Sequence, residues 1–128
     1  NAFNDYVEAM RLPQGNDAEK KHRAEQMELG LKKAIEVPLQ TMRIGDKAWE
    51  NMLEAAKIGN IASKSDVQVG ARALEVGIWG AYQNVMINVG GIKDSKFVSE
   101  KTGEAAKLKD RATKFCAEIL EVLDNRKD

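Results

Sequence analysis

Apolar side chains recur along most of this chain at three- and four-residue spacing, the mark of amphipathic helices. Ala2 to Arg11 reads as the end of a helix with Phe3, Tyr6, Val7 and Met10 on one face. Leu12-Pro13 stops it, because the residue before a proline is pushed out of the α region. Asn16 then offers a side-chain oxygen to open amides while Glu19 can answer from three residues on, a capping box that starts a long helix. The apolar face of that helix runs Met27, Leu31, Ile35, Pro38, Met42, Gly45, Trp49, Met52 and Ala56, with an average step of about 3.6 residues. Pro38 lacks the N–H that would bond the Ala34 carbonyl, so the pattern predicts a kink there rather than a stop. Such a helix spans on the order of 60 Å, more than a compact domain of this size can hold unless other long helices lie against it.

A third helix opens at Ser65, with Gln68 placed to reach back to it. It runs to Val89 and stops at Gly90-Gly91, the residue type that tolerates a left-handed cap. Val67, Ala71, Leu74, Ile78, Tyr82, Val85 and Val89 form its core face. A second face carries Gly70, Ala73, Gly77, Gly80 with Ala81, Asn84 and Asn88. Glycine inside a helix costs about 1 kcal/mol relative to alanine, so three on one face predict close packing against another helix, within the chain or across a dimer. The fourth helix follows Asp94 or Ser95 and carries Val98, Thr102, Ala105, Leu108, Ala112, Phe115, Ile119 and Val122; from Leu108 the 4-3-4-3 spacing is that of a helix paired with another. Gly103 is its weak point, and Arg126-Lys127-Asp128 is expected to fray.

The fold expected is therefore all-α: an up-and-down bundle of long, partly kinked helices over residues 1–128 as a single domain, with no strand. After a short N-terminal helical piece, substantial helices start near Asp17, Asp66 and Ser95. Composition agrees. The 128 residues are 43 % hydrophobic and 31 % charged, enough for a core and a solvated surface. Twenty basic residues balance twenty acidic ones, so nothing draws the chain as a whole to nucleic acid or to anionic lipid, and no apolar run has transmembrane length. One Cys and one His exclude an internal disulfide and disfavour a zinc site; a reducing, cytoplasmic compartment is the natural setting.

Chemistry is harder to locate. Lys20, Lys21, His22 and Arg23 read as a solvated helix face, and Cys116 beside Phe115 as a packed small hydrophobe. No Ser-His-Asp set, phosphate-cradling loop, EF-hand or HExxH occurs. The most informative stretch is Gly59 to Asp66. There Asn60, Lys64, Ser65 and Asp66 either form an ordinary helix connection or offer amides and side chains to a polar ligand. Asn84 and Asn88, one turn apart on the glycine-lined face, either bridge helices or hold such a ligand.

The segments Ala2-Phe3 through Glu8-Ala9-Met10-Arg11-Leu12-Pro13, Gly30 to Ala34 with Val37-Pro38-Leu39, Gly59-Asn60 with Ser65 to Val69, and Gly80 to Asn88 resemble the cyclodeaminase/cyclohydrolase family in order along the chain. The likeness is strongest to the C-terminal cyclodeaminase domain of formimidoyltransferase-cyclodeaminases. The resemblance implies an all-helical homo-oligomer, at least a dimer, acting on one-carbon units of tetrahydrofolate, with a polyglutamylated folate as substrate, no cofactor or metal, and a fused or associated formimidoyltransferase domain. Cyclodeaminase members convert 5-formimidoyltetrahydrofolate to 5,10-methenyltetrahydrofolate and ammonia; a methenyltetrahydrofolate cyclohydrolase is the alternative, and a non-catalytic helical assembly module the alternative outside enzymes. The family's proposed catalytic aspartate stands immediately ahead of the Ala-Phe pair's Asn1, beyond this sequence, as does a glycine-rich PGGGS-type segment. The resemblance therefore implies an incomplete catalytic centre in these 128 residues, with Asn60, Lys64, Ser65, Asp66, Asn84 and Asn88 as substrate-binding candidates.

Overall fold

Short polar side chains open most of the helices. In the computed structural model, which describes residues 1–126, the chain forms α1 (Ala2–Met10), α2 (Asp17–Asp46), α3 (Trp49–Ile58), α4 (Lys64–Asn88) and α5 (Ser95–Asn125), with single 3₁₀ turns at Ile61–Ser63 and Val89–Gly91. No strand occurs among the described residues. The side-chain oxygens of Asn1, Asn16 and Asp94 accept from the amides of Asn4, Glu19 and Phe97, each three residues on. Glu19 answers one residue earlier than a capping box requires, accepting from the Gly15 amide at 2.8 Å.

The long second helix departs from expectation. Helical structure runs through Pro38 without a stop, as the period predicts, but breaks at Lys47-Ala48, where the amides of both residues turn back to carbonyls only three positions earlier. α3 then resumes the same apolar face, burying Trp49 and Ala56. The start of α4 also differs: its cap position is Ser63, with no side-chain hydrogen bond, and Ser65 lies inside the helix. Asn60 caps the preceding 3₁₀ turn by accepting from the Ala62 amide, while Gln68 donates across to Asp124. At the far end no glycine takes a positive φ. Gly91 serves contact instead, since a Cβ there would run into the Leu31 side chain.

α4 is the central element. Its core residues Ala71, Ile78, Ala81 and Val85 pack with Ile35, Leu39 and Met42 of α2, Trp49 and Ala56 of α3, and Ala105, Ala112, Cys116, Ile119 and Leu123 of α5 in one buried cluster. Burying each large aliphatic or aromatic side chain contributes about 1.5–3 kcal/mol. Trp49 is fully buried and lies parallel to Phe115 at 6.0 Å between ring centroids, whereas Trp79 on α4 is 54 % exposed. α2 and α5 run parallel, and their ion pairs follow one another in order: Lys32–Asp94 at 2.7 Å, Glu36–Lys101 at 2.9 Å, Arg43–Glu104 at 2.6 Å and Asp46–Arg111 at 2.9 Å. α4 is antiparallel to α5, with Lys64 and Gln68 at Asp124 and the Lys109 ammonium over the Tyr82 ring. The up-and-down arrangement is thus written in which charges meet.

α1 lies on α2 by only the middle of the face that the sequence suggests, with Tyr6 and Val7 part-buried. Phe3 is 72 % and Met10 47 % exposed, and Ala9 is the buried residue. The contact is close because Gly30 has no side chain: a Cβ there would stand 2.9 Å from the Tyr6 Cα. The expected packing of the small-residue face of α4 is not met inside the chain, since nothing lies within 4 Å of a Cβ built on Gly77 or Gly80. Arg126 is also tied down rather than frayed, donating to the carbonyls of Ala56 and Gly59 at 3.1 and 2.8 Å. Lys127 and Asp128 lie outside the described residues.

Two substitutions test these contacts with opposite signs. Gly30→Ala should lower the melting temperature, because overpacking against backbone costs about 1–3 kcal/mol and exceeds the gain in helix propensity of roughly 0.5–1 kcal/mol. Gly103→Ala, on an exposed turn of α5 with nothing within 4 Å, should raise it by that propensity alone; thermal scans of the two variants beside the parent measure both.

Arg43 bridges Glu104, through two parallel bonds, and Glu36, and holds both carboxyls below their ordinary range chiefly by donating hydrogen bonds to them. A depressed carboxyl pKa contributes stability that is present above the unfolded-state value and is lost as the pH falls through the folded one. Arg43→Met should therefore cost roughly 1 kcal/mol at neutral pH, as expected for a partly exposed network. The deficit should shrink between about pH 5 and pH 3 as the glutamates protonate, a dependence read from urea unfolding at several pH values.

Candidate functional site

A groove of about 970 Å³ runs between α1, α2 and α4. Its walls come from Phe3, Tyr6, Leu31, Val37 and Pro38, its floor from Gly77, Gly80 and Ala81, and its polar groups from Asn1, Thr41, Asn84 and Asn88. Mostly apolar walls with a few convergent polar groups are the usual make-up of a small-molecule site, and the volume is of the size that takes a drug-sized ligand. The glycines have a plain local consequence: without Cβ atoms the floor is flat and backbone lies at the surface. Pro38 adds to this. Because it has no N–H, the Ala34 carbonyl in the same wall lacks its usual helical donor.

Asn88 Nδ2 donates to the Asn84 backbone carbonyl at 2.8 Å, within one helix. Neither asparagine bridges two helices. Asn84 is exposed and its amide reaches into the groove with both a donor and an acceptor to offer. The residues flanking the other end of α4 stand apart from this groove. Asn60 is occupied as a cap, Lys64 pairs with Asp124 at 3.2 Å, and Ser65 and Asp66 are exposed on the first turn. Asp66 and Asn84 are eighteen positions apart on one helix, a separation of about 27 Å at 1.5 Å per residue. One copy of the chain therefore brings Asn84 and Asn88 together and leaves Asn60, Lys64, Ser65 and Asp66 at a distance.

The sequence reading missed Tyr6, Thr41 and the Ala34 carbonyl. A proline inside a helix facing a glycine stripe was the available signal, since both remove groups that would otherwise close the wall. No carboxylate lines the groove, and among the described residues no three His, Cys, Asp or Glu side chains converge as metal ligands. Of the basic run, Lys20 pairs with Asp17 and Arg23 donates to the Met10 carbonyl, while Lys21 and His22 are exposed. No helix among the described residues is long and apolar enough to cross a membrane.

Cys116 is fully buried, and burial, followed by the neighbouring Glu75 carboxylate, pushes its thiol up to about 11. The protonated form is the unreactive one. In native protein Cys116 should resist a thiol reagent at pH 8 and react fully once urea unfolds the chain, as absorbance of the released thiolate reports.

Comparison with known proteins places this architecture. Residues 1–107 match the family model described as formiminotransferase-cyclodeaminase. The chain is 44% identical over all 128 residues to formimidoyltransferase-cyclodeaminase of Dictyostelium discoideum, and 41% identical over 125 residues to that of Gallus gallus. In both cases it spans 23% of the relative's length. It is 30% identical over 125 residues, 60% of the relative, to a methenyltetrahydrofolate cyclohydrolase of Methylorubrum extorquens. The crystal structure of formiminotetrahydrofolate cyclodeaminase from Thermotoga maritima superposes with a TM-score of 0.81 at 20% identity, covering 96% of this chain and 57% of that one, and shows the same fold. On a match that covers most of its length, the chain belongs to the formiminotransferase-cyclodeaminase family.

Proposed function

We propose that this chain is part of a formimidoyltetrahydrofolate cyclodeaminase, which forms 5,10-methenyltetrahydrofolate and releases ammonia. The observation that carries the reading is the groove: a family member needs a site for a folate, and the α1/α2/α4 groove offers about 970 Å³ with apolar walls and the Asn84 side-chain amide. In the reaction N10 of the folate attacks the formimidoyl carbon, a proton moves from N10 to the departing nitrogen, and ammonia leaves. This needs positioned donors and acceptors plus one group that shuttles a proton. Asn84 and the Ala34 carbonyl supply the positioning at the pterin edge, while Tyr6 and Phe3 supply flat apolar surface. Asn1 lines the groove, which supports a proton-shuttling role for the aspartate that the family resemblance puts directly before it.

The same reading makes the reaction a matter of proton transfer with tetrahydrofolate derivative as substrate and no cofactor. The lone thiol supports a cytoplasmic location, and the names and lengths of the relatives support a companion transferase domain. Homology to the Methylorubrum cyclohydrolase favours a second reading, in which water attacks the methenyl carbon and opens the ring.

Incubating the full protein with each folate separates the two. Cyclodeaminase action releases ammonia while the methenyl absorbance grows; cyclohydrolase action consumes that absorbance without ammonia, and no change with either substrate overturns both. Asn84→Leu should lower kcat/KM by roughly tenfold or more, the loss of about 1.4 kcal/mol, with the melting temperature unchanged. Residues 1–128 alone should turn over roughly 10²- to 10⁴-fold more slowly than protein extended upstream through the aspartate.

A further inference from the structure

The connection from α4 to α5 is held down by a residue of neither helix. After the 3₁₀ turn Val89–Gly91 the chain is extended at Ile92 and at Asp94. Asp94 caps α5 by accepting from the Phe97 amide at 3.1 Å. In a capping box the residue at that third helical position returns a carboxylate to the amide of the cap, and Phe97 has none to return. Glu28 of α2 supplies it instead: one of its carboxylate oxygens accepts from the amides of Lys93 and Asp94 at 3.2 and 3.1 Å. Lys32, one turn further along α2, pairs with Asp94 at 2.7 Å and lies 5.0 Å from the centre of the Phe97 ring.

Leu31, also one turn on from Glu28, carries the consequence to the groove. Its side chain lines the groove and also a second cavity of about 430 Å³, to which Glu28, Gly91 and Lys93 contribute. Leu31 fills the space that a Cβ on Gly91 would need, so part of the partition between the two cavities is the contact of Leu31 with bare backbone of the connection. Asn88, in the groove wall, is the residue immediately before the 3₁₀ turn. If the connection drew away from α2, the end of the groove would open into the second cavity and Asn88 would shift with it. We propose that Glu28 is a positioning residue: by fastening the connection to α2 it keeps Leu31 closed on Gly91 and fixes the end of the groove against which a folate is seated. This rests on the reading of the groove as the folate site. Glu28 lies behind the partition, outside the lining of the groove, and acts through Leu31 and Asn88 rather than on the ligand. The clamp needs an acceptor oxygen more than a charge, because both groups that it holds are neutral amides.

The test uses the full protein with Glu28→Gln, Glu28→Asp and Glu28→Ala, at a temperature where circular dichroism finds each folded. Glutamine keeps an acceptor oxygen at the same reach, aspartate draws it back by about 1.5 Å, and alanine removes it. Hydrogen exchange at the Lys93 and Asp94 amides should be slow in the parent and in Glu28→Gln, and roughly tenfold faster in Glu28→Ala. The binding probe is 5-formyltetrahydrofolate, which carries oxygen where the formimidoyl substrate carries nitrogen. Its affinity should fall roughly tenfold in Glu28→Ala and stay near the parent's in Glu28→Gln. KM for the folate that the parent turns over should rise in step while kcat stays within about twofold, the pattern of binding shared by ground and transition states. Glu28→Asp should fall between, and carries the test if the alanine variant does not fold. Ile119→Val, buried in the core and outside the groove, is the control: it should lower the melting temperature and leave affinity alone, as a merely structural Glu28 would. Parent-like affinity in Glu28→Ala would overturn the proposal, as would amides that stay protected there or a loss in Glu28→Gln equal to that in Glu28→Ala. A parent that binds no folate removes the site reading and the proposal with it; a parent that binds, beside a Glu28→Ala protein that binds equally well, removes the proposal alone.

Discussion

Everything in the bundle is hung on α4, whose inner face is dry and whose groove face is nearly devoid of bulk. Burial of Ala71, Ile78, Ala81 and Val85 draws α2 from one side and α5 from the other, and the small inner residues set how near those helices come. Gly45 shows the limit: a Cβ on it would press Ile78 and Leu74 at 3.2 and 3.3 Å. Hydrophobic contact is blind to direction, so burial by itself leaves the axial slide of α2 against α5 poorly fixed. The four ion pairs spaced along their length fix it. Each is half-exposed and worth little in stability, yet a one-turn slide would break all four at once. Register, more than stability, is what these charges determine.

The helices were legible because their signals are local. Asn16 and Asp94 cap three residues on wherever they stand, and apolar side chains at 3.6-residue spacing report a buried face whichever partner buries it. The break at Lys47-Ala48 was not legible. Gly45 stands two residues ahead of it, but the apolar period continues from Gly45 to Trp49 to Met52 without a step, so the pattern gives no sign of a break. Pro38 was legible as no stop, since a missing donor at a half-buried position facing a groove leaves helical structure intact. α1 was half legible: Tyr6, in the middle of its apolar line, does meet Gly30, while Phe3 and Met10 at the ends of that line stay exposed.

The groove was half legible. Asn84 and Asn88 drew attention because polar residues on a glycine face have no cheap place in a core, and both line the cavity. Their apparent companions Asn60, Lys64, Ser65 and Asp66 were joined to them by nearness in a list of candidates, whereas α4 is a rigid rod that keeps its two ends apart. Tyr6 and Thr41 enter the site through tertiary contact alone, whereas the freed Ala34 carbonyl was marked in the sequence by Pro38 four residues on. Small residues gave a true signal throughout, with two different meanings. Gly30 and Gly91 admit a neighbour already in place, and Gly77 and Gly80 leave room.

The two tryptophans make the molecule its own optical instrument. Trp49 is sealed in the core against Phe115, and Trp79 sits in water on the outer side of α4. Their emission differs in colour and in access to a soluble quencher such as iodide. The red, quenchable component reports events at the outer surface of α4, and the blue, protected one reports melting of the core. A single fluorescence titration thereby separates what happens around the bundle from what happens inside it, with no label attached.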